Sequence, residues 1–313
     1  MTVKIYHCRP AALFLNIRWL MKCMVGGFLV DVLAVATLLA AAQADGPDKP
    51  VTPGVQYQAF QKEFNNAASA FWQAKTELER SNIFARVDKL PLRFLDLGRD
   101  NPKDPIAMDA LIQVMSLEYW LNTHTAHPGW GKDSPQARAI AVLLRDHLDS
   151  DKLGEACRRA QYGFRQECET FLRTVLEKSP HREIQGLACL RLAQFLLNRR
   201  DRLELLEDQP DLTRRYENLY GKDYLQALQR QDRSEVVTEA DAFYVRARDK
   251  YGDVKLPYGG LVVETAKTEL FEIRQLAVGK EAEDIEGVDQ DGRQFKLSDY
   301  RGKVVLLYFW SEF

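Results

Sequence analysis

The chain has 313 residues, 46% of them hydrophobic, and 43 Lys and Arg against 45 Asp and Glu leave a formal net charge of −2. This balance argues against nucleic acid as a bulk electrostatic partner, because a phosphate-binding surface needs a basic excess. Five cysteines are too few for a disulfide scaffold. The hydrophobic content suffices for a packed core, and the length predicts about two domains.

The N-terminal segment has the pattern of an export signal. Residues 24–44 are apolar except for Asp31 and Gln43, and they end on the small-x-small pattern around Gln43 that signal peptidase accepts. The positive residues ahead of this run are Lys4, Arg9, Arg18 and Lys22. We therefore predict a signal peptide over 1–44, cleaved after Ala44, a linker over 45–56, and export to the periplasm or cell envelope.

An uncleaved membrane anchor is the alternative for the same segment, and it is the only case in which we expect membrane contact. The apolar run is long enough to span a bilayer, but Asp31 near its middle is costly there. The long basic region also leaves the start codon open between Met1 and Met21.

A helical domain is predicted over 57–278. From Tyr57 to about Leu276 the apolar residues recur at helical spacing, and no long alternation of β-branched residues interrupts them. Prolines separate the segments, and Ser134 and Ser179, each followed by Pro, are predicted helix N-caps.

Two stretches of this domain echo each other. In both, a proline (Pro102 or Pro180) is followed eight residues later by an alanine (Ala110 or Ala188). This predicts a helix, a turn, and a second helix whose small residue permits close packing. We predict a third pair over 238–276, turning at residues 251–253. Such hairpins stack in tetratricopeptide-like arrays, but an irregular helical domain gives the same spacing, and the sequence leaves both open.

The histidines and cysteines of this domain form no recognisable site. His124 and His127 are spaced to share a metal, but no further ligand lies nearby in sequence, so a solvated loop is the better prediction. An oxidising compartment would allow a disulfide between two of the three cysteines Cys157, Cys168 and Cys189. Their partly apolar helical context favours buried free thiols instead. The dense charges of 199–217 are interpreted as solvated helix faces.

The C-terminal segment, 279–313, changes pattern to short β-structure. Residues 285–288 and 294–296 flank the turn dipeptide Asp291-Gly292, which predicts a β-hairpin. Ser298 and Asp299 are positioned to cap a single turn. The continuous apolar run 304–309 is typical of a strand buried on both faces.

This segment resembles the opening of the thioredoxin-like redoxin superfamily, in its TlpA-type and AhpC/TSA-type branches. Glu283 departs from the proline usual in this pattern, and Phe313 stands where the aromatic before the first catalytic cysteine belongs. The residues at matching places are Gly279, Lys280, Ala282, Asp291, Gly292, Leu297, Ser298, Asp299, Tyr300, Gly302, Lys303, Phe309 and Trp310.

The resemblance implies a mainly α protein: a helical domain followed by the first β-hairpin and strand of an incomplete α/β thioredoxin-like domain. It also implies a Cys-x-x-Cys directly after Phe313, which the 313 residues do not contain. We therefore expect a truncated, inactive chain with no catalytic residue, cofactor or metal, and 279–313 poorly ordered or packed opportunistically. Selenocysteine read as a stop, a frameshift and a pseudogene are the alternatives for its ending.

The resemblance implies that the intact protein from which this truncated chain derives, called the parent protein below, is an exported thiol-disulfide oxidoreductase or peroxiredoxin-like protein. Its partners would be protein thiols or disulfides, or a reductant protein, with a protein partner also expected at the helical domain. The alternative function is a helical protein-interaction scaffold that retains only a vestigial redoxin stub.

Overall fold

The structure, a computed structural model, describes residues 51–124, 130–288 and 291–307. The predicted signal peptide lies outside these residues, as does the first half of the predicted linker, 45–50. The described chain belongs to two compact units. One lies within Pro47–Lys267 and is called the helical unit below, and the other includes Thr268–Phe313. Among the described helices, none combines the length and apolar character needed to cross a bilayer.

The described chain is mostly helical, as predicted, with one small antiparallel sheet near its C-terminal end. Short 3-10 helices cover Gly131–Asp133 and Leu297–Tyr300, and the strands are β1 (Glu286–Val288) and β2 (Gln294–Lys296). The α-helices are α1 (Pro53–Gln73), α2 (Glu77–Val87), α3 (Leu90–Asp100), α4 (Ile106–His124), α5 (Pro135–Asp146), α6 (Leu153–Ala160), α7 (Gln166–Lys178), α8 (Arg182–Glu207), α9 (Pro210–Tyr220), α10 (Lys222–Gln229), α11 (Arg233–Tyr251) and α12 (Val262–Gln275).

Side-chain caps fix several helix starts. The Ser134 hydroxyl accepts a hydrogen bond from the backbone N of Ala137 at 3.0 Å, which confirms the predicted N-cap of α5. The prediction for Ser179 is wrong. Ser179 ends α7, and α8 begins two residues after Pro180, with His181 at its N-cap.

Helix α8 is the centre of the helical unit. Most residues in its middle are buried, including Ala188, Leu192 and Phe195 at 0% exposure. A helix with so much buried surface has to be covered by several others. Helices α6, α7 and α11 pack against it.

Two of the three predicted helical pairs are present. Helix α3 packs on α4, and α7 packs on α8. The third is wrong, because α11 packs chiefly on α8 and the predicted three-residue turn is a connection over 252–261. An isolated bridge between Lys255 and Leu261 closes that connection.

The α3–α4 pair depends on a glycine at its contact. An added Cβ at Gly98 would lie 2.7 Å from Leu111 Cγ and 2.9 Å from the Ala107 carbonyl oxygen. Both neighbours are fully buried, so the backbones are close enough here that only hydrogen fits.

Gly98→Ala is therefore expected to lower the free energy of unfolding by about 1–3 kcal/mol, because overpacking outweighs the better helix propensity of alanine. Urea denaturation measures the change. Gly54→Ala is the matched control, since a Cβ there meets nothing within 4 Å, and it should be neutral or slightly stabilising. Equal effects of the two substitutions would contradict the close approach.

The interpretation of 199–217 as solvated faces is wrong for Arg199. Its side chain is 5% exposed, and its Nη1 donates to Glu169 Oε2 at 2.6 Å. Arg173 Nη2 donates to the other carboxylate oxygen at 2.7 Å. A buried guanidinium requires such a carboxylate partner, and the partner lies 30 residues earlier in the chain.

Acid is expected to weaken the fold through Glu169. Burial alone would raise the pKa of this carboxyl, but Arg199 and Arg173 outweigh it and hold the pKa below the ordinary 4.5. Its stabilising contribution is thus present above about pH 4.5 and is lost as the pH falls through the lower folded-state pKa. Urea unfolding at successive pH values measures the free energy of unfolding. As the pH falls, this free energy should decrease less steeply for Glu169→Gln than for the unchanged protein. An identical slope in both proteins would refute this.

The predicted strand over 304–309 is absent where the structure describes it, at residues 304–307. Val304 is 96% exposed and Leu306 is 85% exposed. A strand buried on both faces needs neighbouring strands on both edges, and among the described residues β1 and β2 pair only with each other. Phe309 lies outside the described residues.

Candidate functional site

The hairpin predicted for the redoxin-like segment is confirmed. Strands β1 and β2 pair antiparallel, with Gly287 opposite Phe295. The turn between them contains Gly292 at φ +78°, a left-handed conformation that glycine adopts without strain.

Two further glycines of the resemblance have the same backbone requirement. Gly279 lies at φ +88° and Gly302 at φ +85°. Side chains are disfavoured in this region of φ, so the structure gives a physical reason for glycine at each of these places.

A compact hydrogen-bond network joins the start of the segment to its 3-10 turn. Asp284 accepts from the backbone N and from the hydroxyl of Ser298, both at 2.7 Å. These bonds lower the pKa of Asp284. Leu297 N donates to the Ile285 carbonyl at 2.9 Å, and the Leu297 side chain is buried.

The predicted capping of that turn is right for one residue and wrong for the other. Asp299 Oδ2 accepts from Lys296 N at 2.9 Å, at the start of the turn. Ser298 instead binds Asp284. Motif residues of the segment thus hold its own turns together, and none of these contacts creates a reactive group.

The positions that the resemblance places beside a reactive sulfur are Phe309, Trp310 and Phe313. All three lie outside the described residues. The structure therefore places neither a catalytic residue nor its neighbours, and the site predictions for this end of the chain stay predictions.

The cysteines of the helical unit are buried free thiols, as favoured from the sequence. Cys157, Cys168 and Cys189 are each 0% exposed and unpaired with another cysteine. Burial raises the pKa of each thiol from 9.0 to about 12. A nucleophilic cysteine requires a depressed pKa and solvent access, and these three residues have neither.

His124 does not lie in a solvated loop, contrary to the prediction. It is in the last turn of α4, its ring stacks on Trp120 with centroids 5.4 Å apart, and burial lowers its pKa. His127, which is spaced in sequence to share a metal with it, lies outside the described residues. Within the ranges that are described, no group of three or more His, Cys, Asp or Glu is arranged for a metal.

A buried ion pair that was not predicted from the sequence lies at the centre of the helical unit. Arg165 Nε donates to Glu118 Oε1 at 3.1 Å, and the two side chains are 5% and 1% exposed. Gln136 N donates to Glu118 Oε2 at 2.8 Å. Although these contacts favour the carboxylate, burial is the larger influence and raises the pKa of Glu118. The available signal was the acidic residue Glu118 among the apolar residues in the second half of α4, since the other acid of this helix, Asp109, lies in its first turn.

Comparison with known proteins gives one match. A sequence model of the AhpC/TSA family matches residues 278–313. Neither a curated protein nor a solved structure matches the chain. The match agrees with the resemblance in the C-terminal segment at the level of a thioredoxin-like redoxin, without separating its branches.

Proposed function

We propose that the chain is the helical part and the opening redoxin segment of an exported thiol-disulfide oxidoreductase or peroxiredoxin-like protein. The observation that carries the proposal is the C-terminal segment itself, in which an AhpC/TSA match coincides with a hairpin whose motif residues occupy turn, cap and buried positions. The helical unit would position this segment or bind the partner that it reduces or oxidises.

The reactive thiol, or its selenium equivalent, would come from the residue that follows Phe313 in the parent protein. Redoxin chemistry needs a thiolate near a helix N-terminus and a second group that resolves the mixed disulfide. The three thiols of the helical unit have their pKa values raised to about 12 by burial and do not meet that need.

The test compares two proteins in assays of insulin-disulfide and peroxide reduction. The 313-residue chain is expected to give no turnover above buffer, whereas the protein made from the continuing reading frame is expected to be active. Replacement of the first Cys or selenocysteine after Phe313 by serine should abolish that activity. A reading frame without either residue, or activity in the 313-residue chain, would refute the proposal.

Export is the second part of the proposal, and it rests on the apolar run 24–44 and the residues around Gln43. N-terminal sequencing of the mature protein is expected to begin at Asp45. Recovery of Met1 or Met21 would instead support an uncleaved anchor or a protein that is not exported.

A protein-interaction scaffold is the competing function. The observation that favours it is that the helical unit has an extensive core of its own, centred on α8. A partner that binds the 313-residue chain as tightly as it binds the extended protein, with no redox activity in either, would favour the scaffold.

A further inference from the structure

Three arginines of the helical unit lie near one carboxylate, that of Glu155. Arg158 and Arg159 lie in α6, and Arg191 lies in α8. Glu155 accepts from Arg158 Nε and Nη2 at 2.6 and 2.5 Å, and its Oε1 also lies 2.8 Å from Arg159 Nε. The single carboxylate is thus fully engaged by the two arginines of its own helix.

Arg191 has no carboxylate partner among the described residues. Its Nη1 donates to two neutral amide oxygens, Gln161 Oε1 at 3.1 Å and Gln194 Oε1 at 2.7 Å. Its Nε is buried, and no acceptor for it exists in the described ranges. A guanidinium taken out of water normally obtains a charged acceptor, since leaving one of its donors unpaired is costly.

The charge of the cluster is therefore in excess. Three guanidinium groups against Glu155 give 3 − 1 = +2. Other titratable groups close to the cluster are the phenols of Tyr162 and Tyr258 and the thiol of Cys157. The Arg158 guanidinium lies over the Tyr258 ring at 5.0 Å. Burial, reinforced by the positive charge of Arg158, lowers the pKa values of Arg159 and Arg191.

We propose that Arg158, Arg159 and Arg191 form a binding site for a phosphate group, bound between α6, α8 and the 252–261 connection. A phosphate dianion matches the excess of two positive charges, and planar guanidinium groups bind its oxygens in pairs. The half-exposed Tyr258 ring covers one side of the Arg158 guanidinium. This inference is independent of the redox proposal, because the cluster lies entirely within the helical unit.

The test is calorimetric titration with inorganic phosphate at an ionic strength held constant with chloride, with glycerol 3-phosphate and acetate as further ligands. We expect saturable binding of at least one phosphate compound. The preferred one identifies the source as free phosphate or a phosphate monoester. Acetate binding as tightly as either would overturn the assignment to phosphate.

Variants locate the binding. Arg191→Gln should weaken phosphate affinity at least tenfold, whereas Arg145→Gln should leave it unchanged, because Arg145 is an exposed arginine of α5 paired with Asp146. If Arg191→Gln fails to fold, Arg159→Gln is the second variant, since its side chain is 32% exposed and its replacement should still weaken binding. No saturable binding, or equal affinity in all three variants, would refute the site.

Discussion

Replacement of Arg165 by methionine is expected to lower the free energy of unfolding by about 3–5 kcal/mol, the usual cost of leaving a buried charge without its partner. Methionine retains most of the volume and flexibility of the arginine stem. The loss therefore reports the guanidinium rather than a cavity. Urea denaturation followed by circular dichroism measures it.

The size of this effect follows from the number of contacts that end on one side chain. Besides Glu118, Arg165 donates to the Gly131 carbonyl at 2.7 Å and to the Leu219 carbonyl at 3.3 Å. Its guanidinium also lies over the Tyr220 ring at 5.0 Å. One residue thus connects α4, the 3-10 turn after it, and α9, which are far apart in sequence.

Two controls test whether the loss comes from the unpaired, buried charge of Glu118. Arg246→Met removes a more exposed pair, Arg246 Nη1 to Glu177 Oε1 at 3.0 Å, and should cost at most about 1 kcal/mol. The double variant Glu118→Leu with Arg165→Met removes both charges, and it should recover much of the loss because two apolar side chains often replace a buried pair at little cost. A double variant no more stable than Arg165→Met would contradict the explanation that the loss comes from an unpaired buried charge.

The sequence predicted helices well because their signals are local. Apolar spacing, prolines and caps such as Ser134 act over a few residues, and the structure confirms the helical region from them. What failed depended on distant contacts. Ser179 followed by Pro180 has the sequence pattern of an N-cap, but the chain stays extended past Pro180 and α8 begins only at Arg182. Nothing in the local sequence indicates this later start.

The C-terminal segment shows the same division. The turn at Gly292 and the cap by Asp299 are decided within about ten residues, and both were predictable. The run beginning at Val304 has strand composition but is exposed and unpaired where described. A strand forms only when neighbours supply backbone partners, so composition alone does not determine it.

Buried charges were the least predictable features. Arg199 was predicted to lie on a solvated helix face, and no role was predicted for Arg165. Their partners, Glu169 and Glu118, lie 30 and 47 residues away in the sequence. Only the packing of helices brings such pairs together. The same reason applies to Arg191, whose excess charge is apparent only once α6 and α8 are side by side.

The thiols of Cys157, Cys168 and Cys189 are expected to be nearly inert in the native protein. Because burial raises their pKa values from 9.0 to about 12, the thiolate fraction near pH 7.5 is lower by about a thousandfold than for an ordinary cysteine. Two are further held by hydrogen bonds, from Cys168 Sγ to Gln136 Oε1 at 3.5 Å and from Cys189 Sγ to the Phe243 carbonyl at 3.4 Å.

Alkylation by N-ethylmaleimide, followed by mass spectrometry of the separate cysteine peptides, measures these rates. Glu204→Cys supplies a matched control, since it places an exposed thiol on α8, the helix that carries Cys189. The control should react at least about a thousandfold faster than the three native thiols, and all four should react alike in urea. Native labelling of any one of the three within tenfold of the control would mean that the helical unit has a reactive thiol of its own. The redox chemistry proposed for the parent protein would then not depend on a residue beyond Phe313.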